Sequence, residues 1–575
     1  MSSDTLLRDL PDDLRTAVER QIDTWNKEEG TKRLWSRDAT LWTGSDEAQW
    51  LGWLEIVGKQ NANLAALKEI SSDVKEAGFT YAVVLGMGGS SMCPEVLSMS
   101  FDPVDGFPQL LILDSTDPAQ IAALEQKIDI RRTLFIVASK SGSTIEPNIF
   151  MQYFLARARE QLGPNDAARH FVAITDPGSK LEAFARTAGF RHIYSGVADI
   201  GGRYSALSNF GLVPAAVMGL DTGKMLARAS AIVERCGATR SPRDNPGVAL
   251  GIILGVAHNL GRDKLTIVCP PEISDFGAWL EQLVAESTGK HGKAIIPVDR
   301  EKLAEPEAYG HDRLFVHIKL SRSRKSEQSS AIEKIARSGH PVVRIDLEDV
   351  YDLGAEFFRW EMATAVAGAV IGINPFDQPD VESAKVEARR IAGEYEATGQ
   401  LPRLQPIFED AKFSLYADDA NLKALSASSP GSVAGYLRAH LGQLKAGDYF
   451  CLLAFLEMNE RHEQLLQDMR ESVLQKKHVA TCLGFGPRFL HSTGQAHKGG
   501  PSSGLFLQLT CDDSHDLPVP EQKYSFGIIK AAQAGGDYAV LCARRRRLLR
   551  VHLRGNVEIA LGELKHQFED ALKPA

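Results

Sequence analysis

Short apolar runs alternate with helix-length segments along most of the chain, and this pattern predicts an α/β fold. The first series reads YAVVL, QLLIL, TLFIVA, HFVAIT and RHIYS and lies between Tyr81 and Ser195. Continuous apolar runs of this length are typical of strands that are buried on both faces. Strands of this kind, separated by helices, form doubly wound parallel sheets.

Two further series of apolar runs follow. The second, after a helical stretch beyond Gly211, reads LTIVC, AIIPV, LFVHIKL and PVVRIDL, and the third starts near Tyr449 with YFCLLAF, HVATCL, LFLQLT and YAVLCA. A chain of 575 residues is too long for one core, so several α/β domains are expected. The predicted segments are an N-terminal helical segment (1–75), a first α/β domain (76–235), a second (236–400), a linker or loose helices (401–445) and a C-terminal α/β domain (446–575).

The charge balance argues against a polyanion as the general partner. The net charge is −9, which does not suit a nucleic-acid or membrane-surface binder. One basic run, ARRRRLLR from Ala543, directly follows the apolar YAVLC. We interpret it as a solvated strand end or turn rather than a binding patch.

The cysteines and the apolar segments place further limits. The seven cysteines are scattered without a C-x-x-C pair, so neither a zinc site nor a disulfide framework is predicted. The first residues, MSSDTLLRDLPDD, lack the apolar stretch of a signal peptide, and no apolar span of 18 residues occurs. The sequence therefore predicts a cytoplasmic protein.

A glycine-rich turn follows the first predicted strand. The sequence GMGGSS, from Gly86, places Gly88, Gly89 and Ser90 between that strand and a helix. Glycines let backbone N–H groups close around an anion, and a helix N-terminus favours negative charge. The turn predicts a phosphate site, although a tight connection alone would look the same.

A second polar cluster follows the predicted strand TLFIVA. The sequence SKSGST supplies Lys140 and four hydroxyl residues, Ser139, Ser141, Ser143 and Thr144. Hydroxyl donors at a helix start suit a phosphate monoester, and a run of N-capping serines is the alternative. Two such turns on neighbouring strands favour phosphate, because ligands of open parallel sheets bind beyond the carboxyl ends of the strands.

A dinucleotide site is the competing interpretation of the first turn. GMGGSS has the first two glycines of G-x-G-x-x-G, but Ser91 stands where the third belongs. Asp114 stands where a ribose-binding acid is expected. A dehydrogenase would not need the hydroxyl-rich SKSGST, so this interpretation is disfavoured.

Two further segments carry candidate charged groups. GGRYSALS places Gly202 before Arg203, so that the backbone can approach a ligand closely while the guanidinium enters a cleft; a structural ion pair is the alternative. The segment SDFGAWLEQLVAESTGK predicts an amphipathic helix that carries Gln282 and Glu286 together on one flank. On spacing alone, an interpretation of Glu286 as a surface residue that pairs with Lys290, four positions on, is favoured over a catalytic one.

Together, GMGGSS, SKSGST, GGRYSALS, ESTGK and NPFDQPDVESAK occur in an order that resembles phosphoglucose isomerase, over about residues 80–390. The C-terminal part, with RFLHSTGQAHKGG, looks like the isomerase half of transaldolase–phosphoglucose isomerase fusion proteins. The resemblance implies two sugar-isomerase (SIS) domains, here followed by a third α/β block. It also implies interconversion of glucose 6-phosphate and fructose 6-phosphate without metal or cofactor.

The resemblance implies roles for individual residues. Glu286 would be the base that moves a proton between C2 and C1, Arg203 would stabilise the enediolate, and Lys385 would assist ring opening. The substrate-binding group would be Gly88, Gly89, Ser90, Ser139, Lys140, Ser141, Thr144, Gly202, Gln282 and Gln378.

The ring-opening histidine departs from the family order. In the family an HSxGQ-like segment precedes the lysine motif, whereas here HSTGQ begins at His491, after it. We predict that His491 opens the ring, with His497 and His311 as alternatives. The family implies a homodimer, because its histidine often comes from the partner subunit, and the late position of HSTGQ leaves that assembly open.

Two other functions fit parts of the pattern. A dual phosphoglucose/phosphomannose isomerase would share the fold and the motifs. A non-catalytic sugar-phosphate sensor would need the phosphate loops but not Glu286, Arg203 and Lys385 together. The predicted partner in each case is a small sugar phosphate.

Overall fold

The structure, a computed structural model, describes residues 6–321, 327–426 and 431–573. Helices open the described chain, as predicted for the N-terminal segment. Their bounds are α1 (Asp12–Lys27), α2 (Gly30–Trp35), α3 (Ile56–Ala62) and α4 (Leu64–Ala77). The apolar faces of these helices enter the same core as the first two sheets.

The first sheet consists of parallel strands in the order β2-β1-β3-β4-β5. Its elements are β1 (Tyr81–Gly86), α5 (Met92–Ser100), β2 (Gln109–Leu113), α6 (Pro118–Lys127), β3 (Thr133–Ala138), α7 (Ile145–Leu162), β4 (Phe171–Thr175), α8 (Lys180–Ala188) and β5 (His192–Ser195). Strands β1 and β3 are neighbours, so the two polar turns that follow them lie at the same edge of the sheet.

The second sheet is also parallel, in the order β7-β6-β8-β9. Its elements, with the helices that precede and cover it, are α9 (Asn209–Val217), α10 (Thr222–Arg235), α11 (Pro246–Asn259), β6 (Lys264–Val268), α12 (Phe276–Thr288), β7 (Ile296–Val298), β8 (Arg313–Leu320), α13 (Glu327–Arg337), β9 (Val342–Leu347) and α14 (Leu353–Ile371). Helix α12 carries Gln282 and Glu286.

The third sheet has the order β10-β11-β15-β14-β12-β13. Strand β11 runs antiparallel to both its neighbours, β10 and β15, and the other neighbouring strands are parallel. Its elements, with the preceding long helix, are α15 (Pro379–Thr398), β10 (Phe408–Glu409), β11 (Phe413–Tyr416), α16 (Asp419–Ser426), α17 (Val433–Leu441), β12 (Tyr449–Phe455), α18 (Glu460–Lys477), β13 (Ala480–Phe485), α19 (Gly494–Gly499), β14 (Gly504–Cys511), α20 (Phe526–Ala543), β15 (Arg547–Leu553) and α21 (Val557–Ala571).

The α/β class and the parallel sheets predicted from the sequence are confirmed. The proposed boundaries near residues 75, 235, 400 and 445 stay predictions. Inside the segment expected to be a linker or loose helices, residues 408–416 supply the edge strands β10 and β11. Their pairing with β15 extends the third sheet.

The interpretation of the basic run holds for its first arginines, because Arg544 and Arg545 form an exposed turn. It was wrong for the rest: YAVLC ends helix α20, and the strand is β15, which begins within the arginines. Arg546 and Arg550 are buried rather than solvated. Arg546 donates hydrogen bonds to the carbonyls of Lys498 and Gly500, so it closes the loop that precedes β14.

The third block packs against both others. One apolar cluster joins the first sheet to Phe526 and Ile529 of α20, and another joins Ala285 of α12 to Tyr449 and Leu548 of the third sheet. The three blocks therefore meet near the polar loops. Within the described ranges, no helix combines the length and apolar character that crossing a membrane requires.

Candidate active site

The first polar turn is a short 3-10 helix, Gly88–Ser90, that packs tightly on its neighbours. A Cβ at Gly89 would lie 2.0 Å from the carbonyl oxygen of Gly202, so only glycine permits this approach. Gly88 has a positive φ of 54°, and a Cβ there would meet Gln282 and His491. The GMGGSS turn therefore touches both the GGRYS segment and the HSTGQ segment.

The second turn, between β3 and α7, carries Ser139 and Thr144, whose hydroxyls do not stabilise the turn itself. Ser139 is buried and its Oγ has no hydrogen-bond partner. Thr144 stands at the N-cap of α7, yet its side chain makes no capping hydrogen bond. N-capping, the alternative explanation of this run, therefore does not account for Ser139 and Thr144.

The side chain of Lys140 lies elsewhere. Its Nζ pairs with Asp176 and donates to the carbonyls of Val197 and Ala198, each at 3.3 Å. The structure therefore does not bring this ammonium group to the hydroxyls of the loop. Only the backbone N–H of Lys140 stays available to a phosphate there.

Arg203 and Glu286 form a buried pair. Arg203 Nη1 lies 3.4 Å from Glu286 Oε1, and both residues are less than a tenth exposed. Arg203 also donates to Ser287 Oγ, to Gln378 Oε1 at 2.9 Å and to the Pro375 carbonyl at 2.7 Å. The guanidinium thus joins α12 to the NPFDQ segment, and it places Gln378 beside Glu286.

The alternative pairing of Glu286 with Lys290 is not observed. The buried Lys290 instead donates to the carbonyls of Ser287 and Asn374, and it pairs with Asp377 at 3.2 Å. Burial lowers the pKa of Lys290 to about 7, and the neighbouring Arg203 acts in the same direction. Lys290 therefore holds the chain around the site rather than neutralising Glu286.

His491 pairs with Glu146 and lines the same cavity as Lys385. Its Nε2 is 2.9 Å from Glu146 Oε1, which also accepts a hydrogen bond from Gln533 Nε2 at 2.7 Å. Burial opposes the charge on Glu146, but His491 outweighs it and holds the pKa of Glu146 below its usual range. The Glu146 carboxylate thus orients the imidazole of His491, an arrangement that suits a group that transfers protons.

Gln282 connects His491 to helix α12, which carries Glu286. Its Nε2 donates to the His491 carbonyl at 2.8 Å and to Glu286 Oε2 at 3.2 Å. The relocated HSTGQ segment therefore lies beside Glu286 within a single chain. The other two candidate histidines do not reach this place: His497 is buried against Tyr449 and Cys451, and His311 is exposed.

A cavity of about 310 Å³ brings the remaining candidates together. Ser141 and Thr144 line it from the second polar turn, Lys385 from α15, and His491 with Glu146 from the junction of the blocks. This volume and the convergence of a few polar groups are typical of a small-molecule site.

Several residues at the site were missed by the sequence reasoning. Glu146 follows the predicted SKSGST loop directly, so its proximity to that loop was available in the sequence. Gln495, the glutamine of HSTGQ, accepts hydrogen bonds from the backbone N–H groups of Asp380 and Val381, and donates to the Gly289 carbonyl. Gln533 has no comparable signal, because nothing near it marks α20 as part of a site.

Arg488 was also missed, although it stands three residues before His491. It donates to Asp114 Oδ2 at 2.7 Å and pairs with Glu95. These carboxylates belong to the first block, so the ion pairs fasten the histidine segment across the junction. Asp114, considered above as a ribose-binding acid, is thus committed to Arg488.

In the described part of the chain, no cluster of three or more His, Cys, Asp or Glu residues is arranged to hold a metal ion.

Lys385 makes no hydrogen bond or ion pair with the described residues, so its ammonium group is available to the cavity it lines.

Comparisons with known proteins agree with this geometry. Residues 55–301 match the family described as Phosphoglucose isomerase. Glucose-6-phosphate isomerase of Rubrobacter xylanophilus is 29% identical over 376 residues, which are 56% of this chain and 85% of that protein. Glucose-6-phosphate isomerase of Enterococcus faecalis is 26% identical over 389 residues, 60% of this chain and 86% of that protein.

Two solved structures share the fold. A hypothetical protein from Thermus thermophilus gives a TM-score of 0.57 at 26% identity, covering 66% of this chain and 98% of its own. A glucose-6-phosphate isomerase from Chlamydia trachomatis gives a TM-score of 0.52 at 22% identity, covering 65% and 79%. The chain is therefore similar to phosphoglucose isomerases, and the family match over residues 55–301 includes both polar turns, Arg203 and Glu286.

Proposed function

We propose that this protein is an aldose–ketose isomerase that interconverts glucose 6-phosphate and fructose 6-phosphate, a reaction of glycolysis and gluconeogenesis. The observation that carries the proposal is the buried Glu286–Arg203 pair, joined through Gln282 to the segment that holds His491. The family match and the glucose-6-phosphate isomerases named above support the same substrate pair.

The phosphate would be held by the two polar turns. Ser139 Oγ, Ser141 and Thr144 are hydroxyl donors, and the Gly88–Ser90 turn with the Lys140 backbone adds N–H groups. Ser139 Oγ has no internal partner and is ready for an anion at little cost in reorganisation, whereas Ser141 would exchange its hydrogen bond with Ser143 for one to the phosphate. Gly202 would let the backbone approach the substrate beside Gly89.

Ring opening needs a proton at the ring oxygen and the removal of one from the C1 hydroxyl. His491 would transfer the proton at the ring oxygen, because Glu146 fixes the imidazole through Nε2 and leaves Nδ1 for the substrate. The imidazole, neutral after that transfer, would take up the proton of the C1 hydroxyl, and Lys385, which lines the same cavity, would contact the C1 end. Gln378 and Gln282 would orient the opened chain.

Isomerisation then moves one proton between C2 and C1. Glu286 would remove the C2 proton of the open aldose to give a cis-enediol and return it at C1. Charge develops on the enediolate oxygen during this step, and the buried guanidinium of Arg203 would stabilise it. No metal or organic cofactor has a task in this sequence of proton transfers.

Two alternatives have distinct signatures. A dual phosphoglucose/phosphomannose isomerase would also turn over mannose 6-phosphate. A sugar-phosphate sensor would bind without turnover, but it would have no use for a buried base beside an arginine. The closer likeness to the isomerase half of transaldolase fusions, carried by RFLHSTGQAHKGG, stays a prediction, as does a cytoplasmic location.

A homodimer also stays a prediction. Glu286, Arg203, Lys385 and His491 all belong to one chain here, so we expect the site to be complete without residues of a partner.

The decisive assay is coupled detection of glucose 6-phosphate formed from fructose 6-phosphate, with mannose 6-phosphate tested alongside. We expect Glu286→Gln to lower kcat by about a thousandfold, within the range of general acid–base catalysis. Glu272→Gln, on the exposed turn before α12, is the matched control and should keep full activity. Binding of both sugars without turnover would favour the sensor, and a Glu286→Gln enzyme within tenfold of the parent would remove the base from the proposal.

A further inference from the structure

A second cavity, of about 330 Å³, lies at the carboxyl end of the third sheet. Phe455, which ends β12, and Cys511, which ends β14, both line it. These strands flank the position where the strand order of the sheet reverses, because β13 lies on one side of β12 and β14 on the other. Open α/β sheets bind ligands at this position.

Strand β15 places charge where the fold calls for apolar side chains. Its alternate residues Leu549, Val551 and Leu553 enter the apolar core on one face. On the opposite face, which α20 covers, Arg550 and His552 line the cavity. A charged side chain on a covered sheet face costs solvation energy that packing does not return.

The buried Arg550 has no carboxylate partner in the described part of the chain. Its exposed fraction is 8%. Nε donates to Gln508 Oε1 at 2.6 Å, Nη2 donates to the Ala534 carbonyl at 2.7 Å, and the guanidinium lies 4.3 Å from the ring centre of Tyr538. These direct partners are neutral. The carboxylate whose charge acts on Arg550, Asp537, is itself engaged by Lys498 and Gln508. Nη1 therefore keeps its donors for a ligand.

The other charged groups around the cavity are paired. Lys530 lies between Asp117 and Asp513, and Glu387 pairs with Arg390 on α15. The remaining wall is largely apolar and includes Leu401, Leu404, Tyr416, Phe455 and Tyr538. The cavity therefore offers one guanidinium that has no direct carboxylate partner, in a pocket rich in aromatic rings.

We propose that this cavity is a second binding site, for a small aromatic carboxylate. The carboxylate would accept hydrogen bonds from Arg550 Nη1, and the aromatic body would pack among Tyr416, Phe455 and Tyr538. A monoanion matches a single free positive charge, whereas a phosphate dianion would bring a second charge close to Asp513. The site is independent of the proposed isomerase reaction.

The test is isothermal titration of the full-length protein with benzoate and phenylacetate, and with neutral benzamide for comparison. We expect saturable binding of the carboxylates, at least tenfold weaker binding of benzamide, and at least tenfold weaker carboxylate binding by Arg550→Met. Arg545→Met, at an exposed arginine of the same run, is the matched control and should bind as the parent does.

A second variant guards against misfolding of Arg550→Met. Leu404 is 45% exposed at the cavity wall, so Leu404→Glu should fold while repelling a carboxylate, again by at least tenfold. The proposal is overturned if neither carboxylate binds, if both variants bind as the parent does, or if saturating glucose 6-phosphate displaces the probe, since the probe would then occupy the cavity beside His491.

Discussion

Two loops meet at the candidate active site, and they serve it in different ways. The loop after β3 (residues 139–144, the hydroxyl loop) offers buried or cavity-lining hydroxyls with few internal partners. The loop after β13 (residues 486–500, the histidine loop) carries His491, already paired with Glu146. In the proposed reaction, the hydroxyl loop would receive the phosphate and the histidine loop would hold the proton-transfer group in place.

The two loops also differ in how they are anchored. The hydroxyl loop continues directly into α7 of its own sheet, whereas the histidine loop crosses to the other blocks through Arg488 and Gln495. A binding group that contacts a non-reacting phosphate acts equally in the ground state and the transition state, but a proton-transfer group must be placed within a fraction of an ångström. The additional contacts of Arg488 and Gln495 therefore hold in place the loop to which we assign the proton transfer.

The largest effect that separates the loops is expected at His491. We predict that His491→Ala lowers kcat on cyclic substrate by about a hundredfold, in the range of one acid–base group. Open-chain substrate should be affected less, because it bypasses ring opening. Steady-state kinetics on the equilibrated sugar, compared with rapid mixing of open-chain-enriched substrate, measures the difference. Equal losses on both forms would refute the ring-opening role, and His311→Gln, at an exposed histidine, serves as the control.

In the hydroxyl loop the effect should fall on KM. Ser139→Ala and Thr144→Ala each remove a donor to a group that does not react, at a cost of about 1–3 kcal/mol, which is roughly 5- to 150-fold in KM. Ser139 Oγ has no partner in the free protein, so the free energy of unfolding of Ser139→Ala should not fall. Chemical denaturation checks stability, and a loss of kcat at unchanged KM would contradict a phosphate-anchoring role.

Within the histidine loop, His497 should affect stability in acid rather than catalysis. Burial, with smaller contributions from Lys498 and Arg546, lowers the pKa of His497 to about 3. The unfolded chain takes up a proton near pH 6.5, so between about pH 6.5 and 3 the unfolded state binds more protons and the free energy of unfolding falls as the pH falls. We predict that His497→Gln reduces this slope by up to about 1.4 kcal/mol per pH unit.

Urea denaturation at several pH values between 4 and 7 measures that slope, again with His311→Gln as the control. His440 and His317 are also buried with lowered pKa values, each about 4, so part of the acid sensitivity should remain. Parallel curves for the His497→Gln protein and the parent would show that His497 is protonated in the folded state.

The smallest expected effect is none at all. Neither loop contributes to a set of metal-ligating side chains in the described residues, and the proposed proton transfers involve only side chains. We predict that EDTA leaves the isomerase rate unchanged. Loss of activity that a divalent ion restores would contradict this.

The hydroxyl loop was easier to predict than the histidine loop. SKSGST stands directly after a continuous apolar strand, and position at a strand end is enough to place it at a ligand site. The Glu286 helix was located by its apolar stripe, but the partner of Glu286 was not, because spacing favours Lys290, four positions on, whereas the partner in the structure is Arg203. Only the tertiary structure shows that Lys290 forms its ion pair with Asp377.

The placement of His491 came from a resemblance and not from local pattern. Its contacts with Glu146, with Gln282 and, through Gln495, with Asp380 join residues that are more than a hundred positions apart. No periodicity in the sequence reports such contacts. Strand β15 was missed for a related reason. Its Arg550 is buried because α20 covers it, and a basic residue in the sequence does not indicate that contact.

The separation between Glu146 and His491 is 345 positions, and it sets when the enzyme can first work. At synthesis rates of about 5–20 residues per second, roughly 17–69 s pass between the emergence of the two residues from the ribosome. During that time Glu146 lacks the histidine with which it pairs in the complete chain. A nascent chain released before the third block is complete should therefore isomerise cyclic sugar phosphate far more slowly than the full chain does.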